Sequence, residues 1–156
     1  MFKIAGFMVI VASSAAYFCK KSICDYCTYL LAWESMRLAQ ILKSGNSMGM
    51  TYPAIFARTD FSSFRFFSAT TLQKAVSGQE DSQLYNLVNA DLKAYVKEFI
   101  LSLGKKNKRN EQEFLKNNIE YFKMQADEYK GRYDKNKKTN LVSGISVGML
   151  IFIMII

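Results

Sequence analysis

Histidine is absent from this 156-residue chain, and proline occurs once, at Pro53. Without histidine there can be no Ser–His or Cys–His nucleophile, no neutral imidazole ligand for a metal and no unperturbed switch near pH 7. With a single proline, the task of ending helices falls to glycine. The chain also lacks a Gly-rich phosphate loop, paired carboxylates in a cleft-forming pattern, a complete metal-ligand spacing and any recognised nucleic-acid motif. No catalytic, cofactor-binding or metal-binding residue is therefore predicted, and neither a nucleic acid nor a small-molecule substrate is expected.

Charge is missing from both ends. From Ile4 to Cys19 and from Leu141 to Ile156 no residue is charged, and Lys3 is the only charged residue outside the middle of the chain. Nearly all of the +8 net charge thus belongs to the middle. At about 1.5 Å per residue each charge-free stretch covers roughly 24 Å, a little short of the ~30 Å bilayer core. Flanking lysines can snorkel across the difference. The sequence reads as a transmembrane helix over 1–19, a cytoplasmic helical bundle over 20–140 and a second transmembrane helix over 141–156. The fold class is all-α. Lys20 and Lys21 follow the first stretch, and Lys135, Lys137 and Lys138 precede the second. By the positive-inside rule they place the bundle in the cytoplasm and both termini outside. A cleaved secretory signal is the competing reading of the first stretch, but it would export the basic middle.

The cysteines, Cys19, Cys24 and Cys27, cluster just after the first stretch. Cys24-Asp25-Tyr26-Cys27 has the spacing of a redox pair or half a zinc site, but nothing completes a tetrahedral site. The same spacing places two residues on adjacent helical turns. A membrane-anchored redox or regulatory protein using Cys24 and Cys27 is the alternative function.

Within the middle, glycine and proline punctuate five helices. Ser22–Lys43 has Ile23, Cys27, Leu30, Leu31, Leu38 and Ile41 near a 3.6-residue period, with Ser44-Gly45 as its stop. Thr51 and Pro53 predict a short helix over Pro53–Arg58. Asp60 is the expected cap of a helix Phe61–Val76, whose phenylalanines 61, 64, 66 and 67 fill a core or form a contact surface. A helix from Ser82 to Leu103 has an apolar face at Leu84, Leu87, Leu92, Tyr95, Val96, Phe99, Ile100 and Leu103. A basic turn then carries Lys105, Lys106, Lys108 and Arg109, the candidate docking point for an acidic partner. Beyond it, Leu115, Ile119, Phe122, Ala126, Tyr129 and Tyr133 form a heptad seam. If that helix runs on, residues 111–156 make one rod. The two longest helices would then meet at the basic turn, far from the bilayer. Gly144-Ile145-Ser146-Val147-Gly148 is a G-x-x-x-G, which lets another helix approach closely, within the chain or from a partner.

The serial order of these features resembles the stage III sporulation protein AB family of spore-forming Firmicutes. The likeness rests on Asp91-Leu92, Leu103-Gly104-Lys105, Gln112, the approach from Tyr129 to Lys138, Gly144 with Gly148, and the early Gly6. In the first half, where family members have an acidic helix leading into Thr-Pro-Leu, this chain has Thr51-Tyr52-Pro53 in place of that motif, with Trp33-Glu34 well upstream. The resemblance implies a non-enzymatic structural subunit of the channel between mother cell and forespore, with a domain similar to the cytoplasmic domains of type II secretion system protein F. It implies a place in the mother-cell membrane around the forespore. The implied partners are the lipid bilayer, the sporulation ATPase (stage III sporulation protein AA) and other membrane subunits of the channel.

Overall fold

The computed structural model describes residues 2–76, 87–105 and 107–155. They contain five helices: α1 (Phe2–Ser47), α2 (Tyr52–Arg58), α3 (Ala69–Val76), α4 (Ala90–Leu101) and α5 (Lys108–Ile155). Helices α1 and α5 lie side by side and form the principal packing of the molecule. At 1.5 Å per residue each is roughly 70 Å long. Ser14 Oγ donates to Gly144 O at 2.8 Å, Asn140 Nδ2 donates to Ser22 Oγ at 2.9 Å, and the Tyr26 and Tyr133 rings lie 5.1 Å apart. As α1 residues advance, their α5 partners retreat. The pair is antiparallel.

The all-α class is the observed one. The division at residues 19 and 141 is not seen as a break in either helix. Nothing between Cys19 and Ser22 stops a helix, so α1 continues from the first apolar stretch into the bundle. Helix α5 likewise runs without interruption through residues 140 and 141. Among the described residues, no helix is long and apolar enough to cross a membrane.

Helix α1 also passes Gly45 and ends at Ser47. A Cβ on Gly45 would meet the Ile55 side chain at 2.5 Å, so this glycine serves close packing of α2. The terminating residue is Gly49, at φ 78°. Gly49 N–H donates to Asn46 O and Met50 N–H to Gly45 O, both at 3.0 Å. This double bond across a left-handed residue closes a helix end. Helix α2 starts one residue earlier than the proline predicts. Thr51 holds the cap position without a side-chain cap bond.

The expected helix Phe61–Val76 is reduced to its second half. Asp60 accepts from Ser62 N–H at 2.9 Å, closing a local turn instead of opening a helix. Burial-independent hydrogen bonds from Ser62 also lower the Asp60 carboxyl pKa. The chain is then caught by Glu34 of α1, whose carboxylate accepts from Arg65 N–H at 2.8 Å and Phe66 N–H at 2.9 Å. A residue whose amide is taken by a distant carboxylate is not available to the helical ladder. Helix formation resumes after Ser68, whose Oγ accepts from Thr71 N–H at 3.1 Å. Phe64 and Phe67 are buried and Phe61 and Phe66 partly so, which makes this run core.

The fourth expected helix also starts later. Ser82 and Leu84 lie outside the described residues. Helix α4 is opened by Asn89, whose side chain accepts from Asp91 and Leu92 N–H. Asn89 N–H in turn donates to Thr28 Oγ1 at 3.0 Å, which fastens the start of α4 to α1. Leu92, Val96, Phe99 and Ile100 are buried, as is Leu103 just beyond the helix; Leu87 is exposed. The core sits where α2, α3 and α4 cover the hairpin beyond Thr28, toward the end opposite the charge-free stretches.

Candidate functional site

The seam on α5 is where its periodicity places it. Leu115, Phe122, Ala126 and Tyr129 are buried, while Ile119 and Tyr133 are half-buried. Phe122 meets Phe99 edge-on at 5.2 Å, and Tyr95 stands 4.0 Å from Tyr121. Burial raises the phenol pKa of Tyr95, Tyr121 and Tyr129. The buried face of α1 keeps Leu31 and Leu38 of the periodic face read in sequence and otherwise differs from it. Thr28, Leu31, Ala32, Ser35, Leu38, Ala39 and Leu42 are buried, whereas Ile23 is exposed and Cys27, Leu30 and Ile41 are half-buried. A face in which alanine and serine sit among the leucines gives a weak hydrophobic signal.

Gly144 and Gly148 are both buried. A Cβ on Gly144 would lie 2.8 Å from Ala15 Cα and 3.2 Å from Ser14 O. The close approach at Gly144 is therefore to α1 of the same chain. Its carbonyl accepts from the Ser14 hydroxyl, a polar contact between two otherwise apolar segments.

At the opposite end, Asn107 opens α5, accepting from Asn110 N–H through its side chain at 3.1 Å. The α4–α5 junction is made by Gly104 at φ 75°. Lys105 and Arg109 are exposed, Lys108 is the first residue of α5, and Lys106 lies outside the described residues. The basic turn thus joins α4 to α5. It does not join the two longest helices, which are α1 and α5. Sequence length alone had paired the wrong neighbours.

Beside this turn is an open cleft of about 440 Å³ lined by Met50, Tyr52, Pro53, Gly104 and Glu111, among others. Glu111 is 3 % exposed. Its Oε1 accepts from Gly104 N–H at 3.1 Å and from the Tyr52 hydroxyl, while Oε2 has no hydrogen-bond partner among the described residues. One carboxylate in the first turn of α5, where the helix dipole favours it, therefore ties the α1–α2 turn to the α4–α5 turn. Glu111 was not singled out from sequence, and Glu34 entered only within Trp33-Glu34 of the family comparison, not as a buried acceptor. The available signal for Glu34 was its position three residues after Leu31 and four before Leu38, an acid beside the buried seam.

Burial, reinforced by the Glu111 carboxylate, pushes the Tyr52 phenol pKa well above its ordinary value. Because the folded state favours the neutral phenol, the associated stabilisation is complete below about pH 10 and is lost as pH rises beyond it. In an alkaline titration followed by tyrosinate absorbance, a late-ionising tyrosine should disappear in Tyr52→Phe. At neutral pH that substitution should cost about 1.5–2 kcal/mol in chemical denaturation, the lower part of the range for a bond to a charged acceptor, because the pair lines an open cleft.

The three cysteines are unbridged and half-buried on α1. Burial, with Cys24 nearby, raises the Cys27 thiol pKa, which is opposite to the activation of a thiolate nucleophile. Among the described residues no group of three His, Cys, Asp or Glu side chains is placed to hold a metal.

No known protein family, curated protein or solved structure matches this chain. What the arrangement offers chemically is contact: a tightly zipped apolar tip, a packed core and a basic turn beside a cleft at the far end.

Proposed function

We propose that the chain is a non-enzymatic platform subunit, held in a membrane by its two apolar ends and contacting a cytoplasmic partner through its opposite end. The observation that carries this reading is the antiparallel α1–α5 pair. It brings the charge-free stretches 4–19 and 141–156 together, through Ser14 and Gly144, at one tip. Leu141, Val142, Val147, Leu150, Ile153 and Met154 present exposed apolar surface there, which lipid would cover. The continuous α5 would couple that tip to the basic turn as one rod. The lysines at 20, 21, 135, 137 and 138 support a cytoplasmic bundle with both termini outside.

Following the resemblance, the membrane is that of the mother cell around the forespore. The assembly is the channel between the two cells, and the partner is its cytoplasmic ATPase. The test is charge reversal of Lys105, Lys106, Lys108 and Arg109. Co-purification of the ATPase with the full chain should fall about tenfold and become less sensitive to salt, as for the loss of steering charges. Unchanged recovery of the ATPase would remove the basic turn as its docking point.

A further inference from the structure

The lysines that flank the apolar stretches are far apart in sequence, yet the helix pairing gathers them. Asn140 bonds to Ser22 at 2.9 Å. Lys20 and Lys21 therefore stand within one turn of that level on α1, and Lys135, Lys137 and Lys138 within two turns of it on α5. All five side chains are exposed. The acids at this level are Asp134 and Asp25. Asp134 engages Lys137 at 3.3 Å, and Asp25 is half-buried against the helix pair. Lys20, Lys21, Lys135 and Lys138 are in no ion pair among the described residues. Exposed Leu141 and Val142 begin immediately on one side of this level, and Tyr17, 75 % exposed, lies on the same side of it on α1. An interfacial aromatic next to exposed lysines and then bare apolar side chains is the sequence of environments met on entering a bilayer from water.

From this juxtaposition we infer that Lys20, Lys21, Lys135 and Lys138 form a collar that binds the headgroups of anionic phospholipids. The inference rests on the membrane reading proposed above. It adds that the chain selects its lipids, and names the residues that do so. The collar supplies four ammonium groups outside any ion pair within about two helical turns of one level, and juxtamembrane lysines near an anionic surface each attract acidic lipid. The basic turn at the far end is unsuited to this task. Most of the length of α5, many times the Debye length, separates it from the tip.

The experiment uses the full chain reconstituted into phosphatidylcholine vesicles containing a minority of phosphatidylglycerol. Alkaline carbonate washing reads integration independently of headgroup, and the lipids retained on gentle solubilisation read selectivity. The expected result is carbonate resistance with phosphatidylglycerol enriched about fivefold over the bulk, the order of one lysine–headgroup contact. Enrichment should vanish in the Lys20→Gln, Lys21→Gln, Lys135→Gln, Lys138→Gln variant and persist in Lys105→Gln, Arg109→Gln. Should the fourfold variant fail to integrate, Lys135→Gln, Lys138→Gln alone should halve the enrichment. A carbonate-resistant chain that retains lipids in bulk proportion, or whose enrichment survives the collar substitutions, overturns the inference and leaves the membrane reading intact. Retention of free phosphate but not of phosphatidylglycerol by the collar would also overturn it. A wild-type chain stripped by carbonate overturns both.

Discussion

Glu34→Ala should lower the stability of the folded chain by about 3–5 kcal/mol, from the loss of two hydrogen bonds to a charged acceptor. Glu34 is 2 % exposed and accepts from the amides of both Arg65 and Phe66. Removing it leaves two amides without a partner in a segment that makes no helix of its own. The neighbouring Phe64 and Phe67 are buried, so the effect extends into the core. Arg37 stacks 5.0 Å from the Phe64 ring and donates to Ser63 Oγ, and it should lose that anchorage as well. Glu34→Gln keeps one acceptor oxygen and turns an NH2 group toward the other amide, so it should cost about half as much. Chemical denaturation gives the ordering, and amide exchange at residues 65 and 66 locates it. Equal exchange protection in wild type and Glu34→Ala would show that the carboxylate does not hold this segment.

Gly144→Leu should have the second largest effect. Even a methyl group at this position would lie 2.8 Å from Ala15 Cα and 3.2 Å from Ala15 N. These are backbone atoms, which cannot rotate away, so the helices must separate. Overpacking of this kind typically costs about 1–3 kcal/mol, and separation also stretches the Ser14–Gly144 bond. Gly131 supplies the contrast. It lies on the same helix, is exposed, and a Cβ there would meet nothing within 4 Å. Gly131→Ala should therefore stabilise α5 by about 0.5–1 kcal/mol, through helix propensity alone. Thermal unfolding of the full chain in detergent should move in opposite directions for the two variants. A shared direction would mean that Gly144 does not act through close approach to α1.

The legible part of the fold was what repeats locally. The α5 seam was readable because Leu115, Phe122 and Tyr129 are large and apolar, with Ala126 between them, at steps set by 3.6 residues per turn. On α1 Leu31 and Leu38 were legible, but Ala32, Ser35 and Ala39 were not, because they are small and Ile23 and Ile41 outweigh them in any hydrophobic pattern. The helix expected from Phe61 failed for a different reason. Asp60 has the chemistry of a cap, but the carboxylate that decides the backbone of residues 65 and 66 comes from α1, some thirty positions earlier. At Gly45 the local rule for helix ends lost to a packing demand from Ile55, and Gly49 became the stop. The candidate docking turn was visible as a run of charge. The Tyr52–Glu111 link beside it was not, because its members are 59 positions apart in sequence.

The sequence by itself determined that the chain is helical and has no histidine chemistry, and that it segregates charge from two apolar ends. Composition and helical periodicity act over a few residues and leave their mark in any short window. Tertiary structure alone decided that α1 pairs with α5, that Gly144 is spent on that pairing, and that five distant lysines share one level. Those outcomes depend on which faces can approach most closely. That is a property of two surfaces together, and no window of one strand of sequence contains it.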